Sequence, residues 1–222
     1  MIEIAPSILS ADFAYLGDAI RSVEPETSWI HVDVMDGHFV PNLTIGAPVV
    51  ASIRRHTKCY LDCHLMITDP WDYLADFAKA GADSVSFHFE VGRTSELIKM
   101  AHDLGMKAGM AVNPDANFDD YSPYIASLDL LLIMSVFPGF AGQSFIPDVL
   151  EPLRRARNLI AESGLDTVLQ IDGGISLETI RASTISGAEV FVAGSAVFGQ
   201  SNPAQAIRDL KRAASLALEG TK

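Results

Sequence analysis

The chain has 222 residues, 49% of them hydrophobic and 20% charged, and its 16 Lys and Arg against 28 Asp and Glu give a formal net charge of -12. So acidic a chain, with no basic stripe, excludes nucleic acid as a partner, because phosphodiester backbones are bound through clustered Lys and Arg with counterion release. No basic start followed by an apolar run marks an export signal, and no stretch approaches the roughly 20 apolar residues that span a bilayer, so a soluble, cytoplasmic protein with no membrane partner is expected.

Short apolar, β-branched runs at 4–9, 29–34, 60–66, 83–89, 107–112, 128–136, 167–172 and 189–194 predict eight buried strands. Segments with helical periodicity lie between them and carry start signals: Asp12 ahead of Ile20 and Val23, Pro70 after Thr68, and Asn202 with Pro203 before the last segment. Strand then helix, repeated through the chain, predicts a parallel sheet with crossover helices. An open doubly wound sheet would advertise a nucleotide site by a Gly-rich turn after its first strand. Here that strand runs into Pro6, Ser7, Ile8, Leu9, Ser10 and Ala11, with no glycine. Eight units in this length predict instead a closed (β/α)8 TIM barrel, a single domain over 1–222 with no linker or charge block to divide it.

Function in such a barrel gathers at the C-terminal ends of the strands. The second strand carries His31 and Asp33, which share a face because side chains alternate along a strand. The third adds His64 and the seventh adds Asp172. Barrel interiors are filled mostly by Val, Ile and Leu, so two imidazoles and two carboxylates converging on one rim point to a metal or acid/base site. A mixed nitrogen and oxygen set of four suits zinc, iron, manganese or cobalt. Met35, Met66 and Met134 stand near the same rim: each singly reads as core filler, and together they would also line the rim with flexible apolar surface.

Glycines make a second pattern. Gly139 and Gly142 follow the sixth strand, Gly173 and Gly174 the seventh, and Gly194 with Ser195 the eighth. Glycine turns that feed helices present backbone N–H groups to an anion, which predicts a phosphate at this end of the barrel. Cys59 and Cys63 are spaced unlike the tight pairs of zinc ribbons. If His64 faces inward, Cys63 faces the helices as a small buried hydrophobe, and both thiols are expected to be reduced. His88 ends the fourth strand without a companion carboxylate of evident orientation, Glu90 being the nearest inward candidate, and it receives no role. His56 and His102 read as surface residues in helical segments, and His38 as a loop residue.

Three segments resemble a known family: Ala5 to Phe13, His31 to Thr44 (HVDVMDGHFVPNLT) and Met134 to Gln143 (MSVFPGFAGQ). Together they are similar to ribulose-phosphate 3-epimerases, and the likeness runs over essentially the whole chain. The resemblance implies a ribulose-phosphate-binding barrel that interconverts D-ribulose 5-phosphate and D-xylulose 5-phosphate in the pentose phosphate pathway, with one divalent metal per subunit and a homo-oligomeric assembly. It implies His31, Asp33, His64 and Asp172 as metal ligands, and Asp33 and Asp172 as the acid/base pair. Ser7, His64, Asp172 and the loops holding Gly139, Phe140, Ala141, Gly142, Gly173, Gly174, Gly194 and Ser195 match substrate contacts. Ala141 stands where the family usually has glycine, and Phe137 where a polar residue is common, which bears on substrate preference rather than on ligands or proton carriers.

The implied reaction agrees with the residues. Inverting a carbon beside a ketone needs a proton removed from one face and another delivered to the opposite face, and two carboxylates do this better than one. A longer ketose phosphate such as D-allulose 6-phosphate would use the same site with more room. A lyase of the same fold would be expected to place a lysine beside the carboxylates, and none stands at these strand ends. A non-catalytic sugar-phosphate module would be expected to lack at least one of the four ligand residues.

Overall fold

The computed structural model describes residues 2–219. β-branched and apolar runs form β1 (Glu3–Pro6), β2 (Trp29–Met35), β3 (Tyr60–Met66), β4 (Ser84–His88), β5 (Lys107–Val112), β6 (Leu130–Met134), β7 (Val168–Asp172) and β8 (Val190–Ala193). They make one parallel sheet ordered β1-β8-β7-β6-β5-β4-β3-β2. Its two edges meet through a parallel bridge between Ser7 and His31, which closes the barrel. All eight expected strands are present, as is the barrel.

Between the strands lie α1 (Leu16–Val23), α2 (Ala47–Arg54), α3 (Leu74–Ala80), α4 (Thr94–Asp103), α5 (Phe118–Tyr121), α6 (Leu150–Ser163), α7 (Ile180–Ile185), a single turn α8 (Ser195–Phe198) and α9 (Pro203–Glu219). The expected start signals act locally. Asp12 accepts the N–H of Ala14 at 2.9 Å and opens a 3-10 turn that leads into α1, while Asn202 accepts the N–H of Gln205 at 3.0 Å at the head of α9. Pro70 opens a 3-10 turn, and α3 itself begins only at Leu74. In α9 the buried residues Ile207, Leu210, Ala214 and Ala217 recur at intervals of three and four, the stripe a helix lays on a sheet. None of the described helices is long and apolar enough to cross a membrane.

Strand alternation sorts the core into two layers. Ile30, Val32 and Val34 of β2 and Leu61, Cys63 and Leu65 of β3 face the helices and are buried there. Burying each such aliphatic side chain contributes about 1.5–3 kcal/mol, and slipping a strand by one residue would turn this set into the barrel and press the polar one against the apolar helix layer. The inward set forms the barrel interior. Trp29 stacks on Tyr60 with ring centroids 4.3 Å apart and packs beside Leu130, Leu132 and Val190. Above them the interior turns polar, with Asp62, Ser84, Ser86 and Gln170 fully buried.

Candidate active site

β2 and β3 lie in register with His31 opposite Asp62 and Asp33 opposite His64. All four of these side chains therefore point into the barrel, two from each strand. Asp172 ends β7 opposite Met134 of β6 and Val192 of β8. One nitrogen or oxygen from each of His31, Asp33, His64 and Asp172 lies within 4.8 Å of the others. Asp33 Oδ1 is 3.4 Å from both His31 Nε2 and His64 Nδ1, and Asp172 Oδ2 is 4.0 and 3.9 Å from the same two nitrogens.

Those two nitrogens, His31 Nε2 and His64 Nδ1, are buried and have no hydrogen-bond partner. Leaving buried polar atoms unpaired costs about 1–3 kcal/mol each. Two imidazole nitrogens and two carboxylate oxygens facing one point are what a divalent cation satisfies, so the four residues fit a metal. Their surroundings hold them in place. His31 Nδ1 is 2.8 Å from Asp62 Oδ2, and Asp62 also accepts from Ser84 Oγ at 2.8 Å and from Gln170 Nε2 at 2.7 Å. Ser7 Oγ donates to Asp33 Oδ2 at 2.5 Å. Thr44 Oγ1 donates to the Asp33 carbonyl at 2.7 Å and accepts the N–H of Met35 at 3.0 Å, pinning the end of β2. Ser135 does the same for β7, donating through Oγ to the carbonyls of Asp172 at 2.9 Å and Gly173 at 2.6 Å.

Electrostatics separates the two carboxylates. Burial alone would raise Asp33, but the imidazoles of His31 and His64 outweigh it and hold its carboxyl well below the usual range. At Asp172 the balance reverses: burial and then the nearby Asp33 charge outweigh the help of the His31 ring and the Gly173 N–H and push it up to about 7. Burial opposes charge on His31, yet Asp33 and Asp62 overcome it and raise the ring well above its ordinary value. Burial dominates at His64, whose value falls. One carboxylate is thus held ionised while the other takes up a proton near neutral pH, the division an acid/base pair needs.

Above this cluster opens a cavity of about 600 Å³. Ser7, Asp33, Gly139, Phe140, Ala141, Gly142, Asp172, Gly173, Gly174, Gly194 and Ser195 all line it, and so do Met35, Met66 and Met134. His31 and His64 are fully buried beneath. Phe137 stands 49% exposed, and its carbonyl accepts from Gln143 Nε2 at 2.7 Å. Cys63 packs against the helices while Cys59 is half-buried, and both are free thiols. His38, His56 and His102 are exposed, with His56 in the turn beyond α2 rather than within a helix.

Asp62, Ser84, Gln170 and Ser135 join the site without having been expected there. The signal for Asp62 and Gln170 was present, because each stands two residues before a site residue on the same strand and so shares its face. His88 also gains a setting: its Nε2 lies 2.9 Å from His64 Nε2 and its Nδ1 3.2 Å from Glu90 Oε2.

Comparison with known proteins agrees with this geometry. KGPDC from Streptococcus mutans shares the fold with a TM-score of 0.72 at 15% identity, over 98% of this chain and 99% of that one. The cytoplasmic isoform of ribulose-phosphate 3-epimerase from Oryza sativa subsp. japonica is 45% identical over 95% of this chain and 93% of its own length. Ribulose-phosphate 3-epimerase from Synechocystis sp. is 49% identical over 95% of this chain and 93% of its own length. The model of the ribulose-phosphate 3 epimerase family matches residues 3–198, a span that holds all eight strands, both histidines and both aspartates of the cluster, and by that match the chain belongs to this family.

Proposed function

We infer that the chain interconverts D-ribulose 5-phosphate and D-xylulose 5-phosphate, a step of the pentose phosphate pathway, with Asp33 and Asp172 as the proton carriers. One observation carries the assignment of roles: two carboxylates of unlike protonation preference meet beside two unpartnered imidazole nitrogens at the floor of a cavity. Ionised Asp33 takes the proton from carbon 3 on one face, and protonated Asp172 delivers one to the other; in the reverse direction they exchange parts. Ser7 holds the Asp33 carboxylate through Oδ2, which leaves Oδ1 on the side of the imidazoles.

His31, Asp33, His64 and Asp172 would hold one divalent metal per subunit, and their mixed nitrogen and oxygen donors suit zinc, iron, manganese or cobalt. Such an ion supplies positive charge against the negative charge that grows on the sugar oxygens once carbon 3 loses its proton. Gly173, Gly174, Gly194 and Ser195 would bind the phosphate through backbone N–H groups. A Cβ at Gly194 would stand 2.4 Å from Ser10 Oγ, so a side chain there would have to displace that hydroxyl. Gly139, Phe140, Ala141 and Gly142 would cover the sugar. Asn42 Nδ2 donates to the Gly139 carbonyl at 2.9 Å and ties that loop to the segment after β2.

A cytoplasmic setting is part of the same proposal, supported by the rice relative's designation as a cytoplasmic isoform. So is a single barrel domain over 1–222, of which residues 1 and 220–222 lie outside the described part. A homo-oligomeric assembly is part of the same proposal through the family to which the chain belongs. The roles are tested by Asp33→Asn and Asp172→Asn. Each lowers turnover by about 10²–10⁴-fold while leaving the barrel folded, and near-normal turnover in either variant would remove that residue from the chemistry.

A further inference from the structure

His88 and Glu90 take no part in the proton transfers above, yet a chain of ring nitrogens joins them to the site. His64 Nε2 faces His88 Nε2 at 2.9 Å, and His88 Nδ1 faces Glu90 Oε2 at 3.2 Å. The other oxygen of Glu90 accepts the backbone N–H of Asn113 at 2.9 Å. Both rings are fully buried, so water does not stand in for a missing donor or acceptor. Phe39 packs on the His88 ring at 4.7 Å between centroids and limits its rotation.

Proton positions along such a chain depend on one another. An imidazole that offers a lone pair at Nδ1 must carry its proton on Nε2. With His64 in that form, its Nε2–H donates to His88 Nε2, which then must be an acceptor. The His88 proton is thereby sent to Nδ1, where the Glu90 carboxylate accepts it. Running the chain the other way would place a proton on His64 Nδ1, in the space shared with Asp33 and Asp172.

We propose that Glu90 and His88 are positioning residues that set the tautomer of His64, so that its Nδ1 lone pair is free for a divalent metal beside Asp33 and Asp172. This rests on the metal assignment made above. His31 meets the same requirement by a shorter route, since Asp62 accepts at its Nδ1 and leaves Nε2 for the metal. The longer route at His64 has a physical reason. Asp33 and Asp62 are buried and Asp172 nearly so, and a further buried carboxylate beside them would add repulsion and desolvation cost. Interposing His88 lets the accepting charge sit at Glu90, whose side chain is 28% exposed.

Glu90→Gln tests the direction of the chain with almost no change in shape. The N–H of Asn113 selects the glutamine oxygen, which turns the amide NH₂ toward His88 Nδ1 and forces that nitrogen to accept. His88 then carries its proton on Nε2, against His64. Zinc affinity of each protein is measured by competition with a chromophoric chelator, and the His64 tautomer by ring ¹⁵N shifts of the metal-free protein. Wild type is expected to show His64 protonated at Nε2; Glu90→Gln moves that proton toward Nδ1 and weakens zinc binding by about 10–100-fold. His88→Leu weakens it similarly, whereas His88→Gln, with a carbonyl to accept in the same place, retains more of the affinity. Wild-type affinity in Glu90→Gln, or weakened affinity with His64 still protonated at Nε2, would overturn the proposal. A wild-type protein that binds no zinc, manganese, iron or cobalt would instead overturn the metal assignment itself, and the proposal with it.

Discussion

Gly173 follows Asp172 directly, and its backbone sits at φ +119°, a conformation that side chains rarely adopt. A Cβ there would stand 2.6 Å from Val136 Cγ2 and 2.8 Å from the Val136 backbone nitrogen. The side chain of Val136 can rotate away, but the backbone nitrogen cannot, so Gly173→Ala must shift the turn after β7. Backbone strain contributes about 1–2 kcal/mol and overpacking about 1–3 kcal/mol. Ordering a less flexible unfolded chain returns about 0.4–1 kcal/mol. A net loss of about 1–5 kcal/mol lowers the melting temperature of a chain this size by about 2–20 °C. Gly105 provides the control: it lies between α4 and β5 at the opposite end of the barrel, at φ +80°, and a Cβ there would meet nothing within 4 Å. Gly105→Ala bears the strain alone and should lose about 1 kcal/mol. Because Asp172 moves with its neighbour, Gly173→Ala should also lose on the order of 100-fold in kcat, the cost of a misplacement near 1 Å. Melting curves and turnover of both variants check this. If Gly173→Ala melts no lower than Gly105→Ala and keeps its turnover, the close approach to Val136 does not position Asp172.

Asp36 accepts the N–H groups of His38, Phe39 and Thr68, each at 2.8 Å, and these donors hold its carboxyl below the usual range against the opposing effect of burial. Its folded value is depressed, so the stability it adds is present above about pH 4 and is lost as pH falls through that lower value; Asp36→Asn, which turns an NH₂ toward one donor, should lose about 1 kcal/mol in urea unfolding at neutral pH and flatten the acid limb. An unchanged acid limb in that variant would refute the assignment. Stripping the metal should lower the melting temperature relative to protein in zinc at a hundred times its dissociation constant, where linkage supplies about 2.7 kcal/mol. Identical melting with and without zinc would count against a site at His31, Asp33, His64 and Asp172.

The barrel was legible because its signal is repeated: eight apolar runs, each followed by a helical segment, leave few other architectures. Strand ends were less legible. β1 stops at Pro6 rather than running to 9, because Ser7 accepts the N–H of Leu9 at 3.2 Å and bends the chain into a 3-10 turn. The short α8 at Ser195 is too brief to leave a periodic pattern. His31, Asp33, His64 and Asp172 stood out as polar residues at strand ends where aliphatics are the rule. Ser135 did not, because its contacts with Asp172 and Gly173 join neighbouring strands that are distant in sequence. The link from His88 to His64 was hidden for the same reason: strand spacing shows which face a residue shares, not which nitrogen meets which. A net charge of -12 argues against nucleic acid yet leaves a small phosphate admissible, since backbone N–H groups and a cation could meet a sugar phosphate whatever the summed side-chain charge.

The most direct test of the central claim is the fate of the hydrogen on carbon 3 when ribulose 5-phosphate turns over in deuterated water, with metal content determined on the same sample. The account predicts that the xylulose 5-phosphate formed carries deuterium at carbon 3, that the protein holds close to one divalent ion per chain, and that the chelated protein neither epimerises nor exchanges. Product that keeps its original hydrogen at carbon 3, or full turnover by verified metal-free protein, would contradict it.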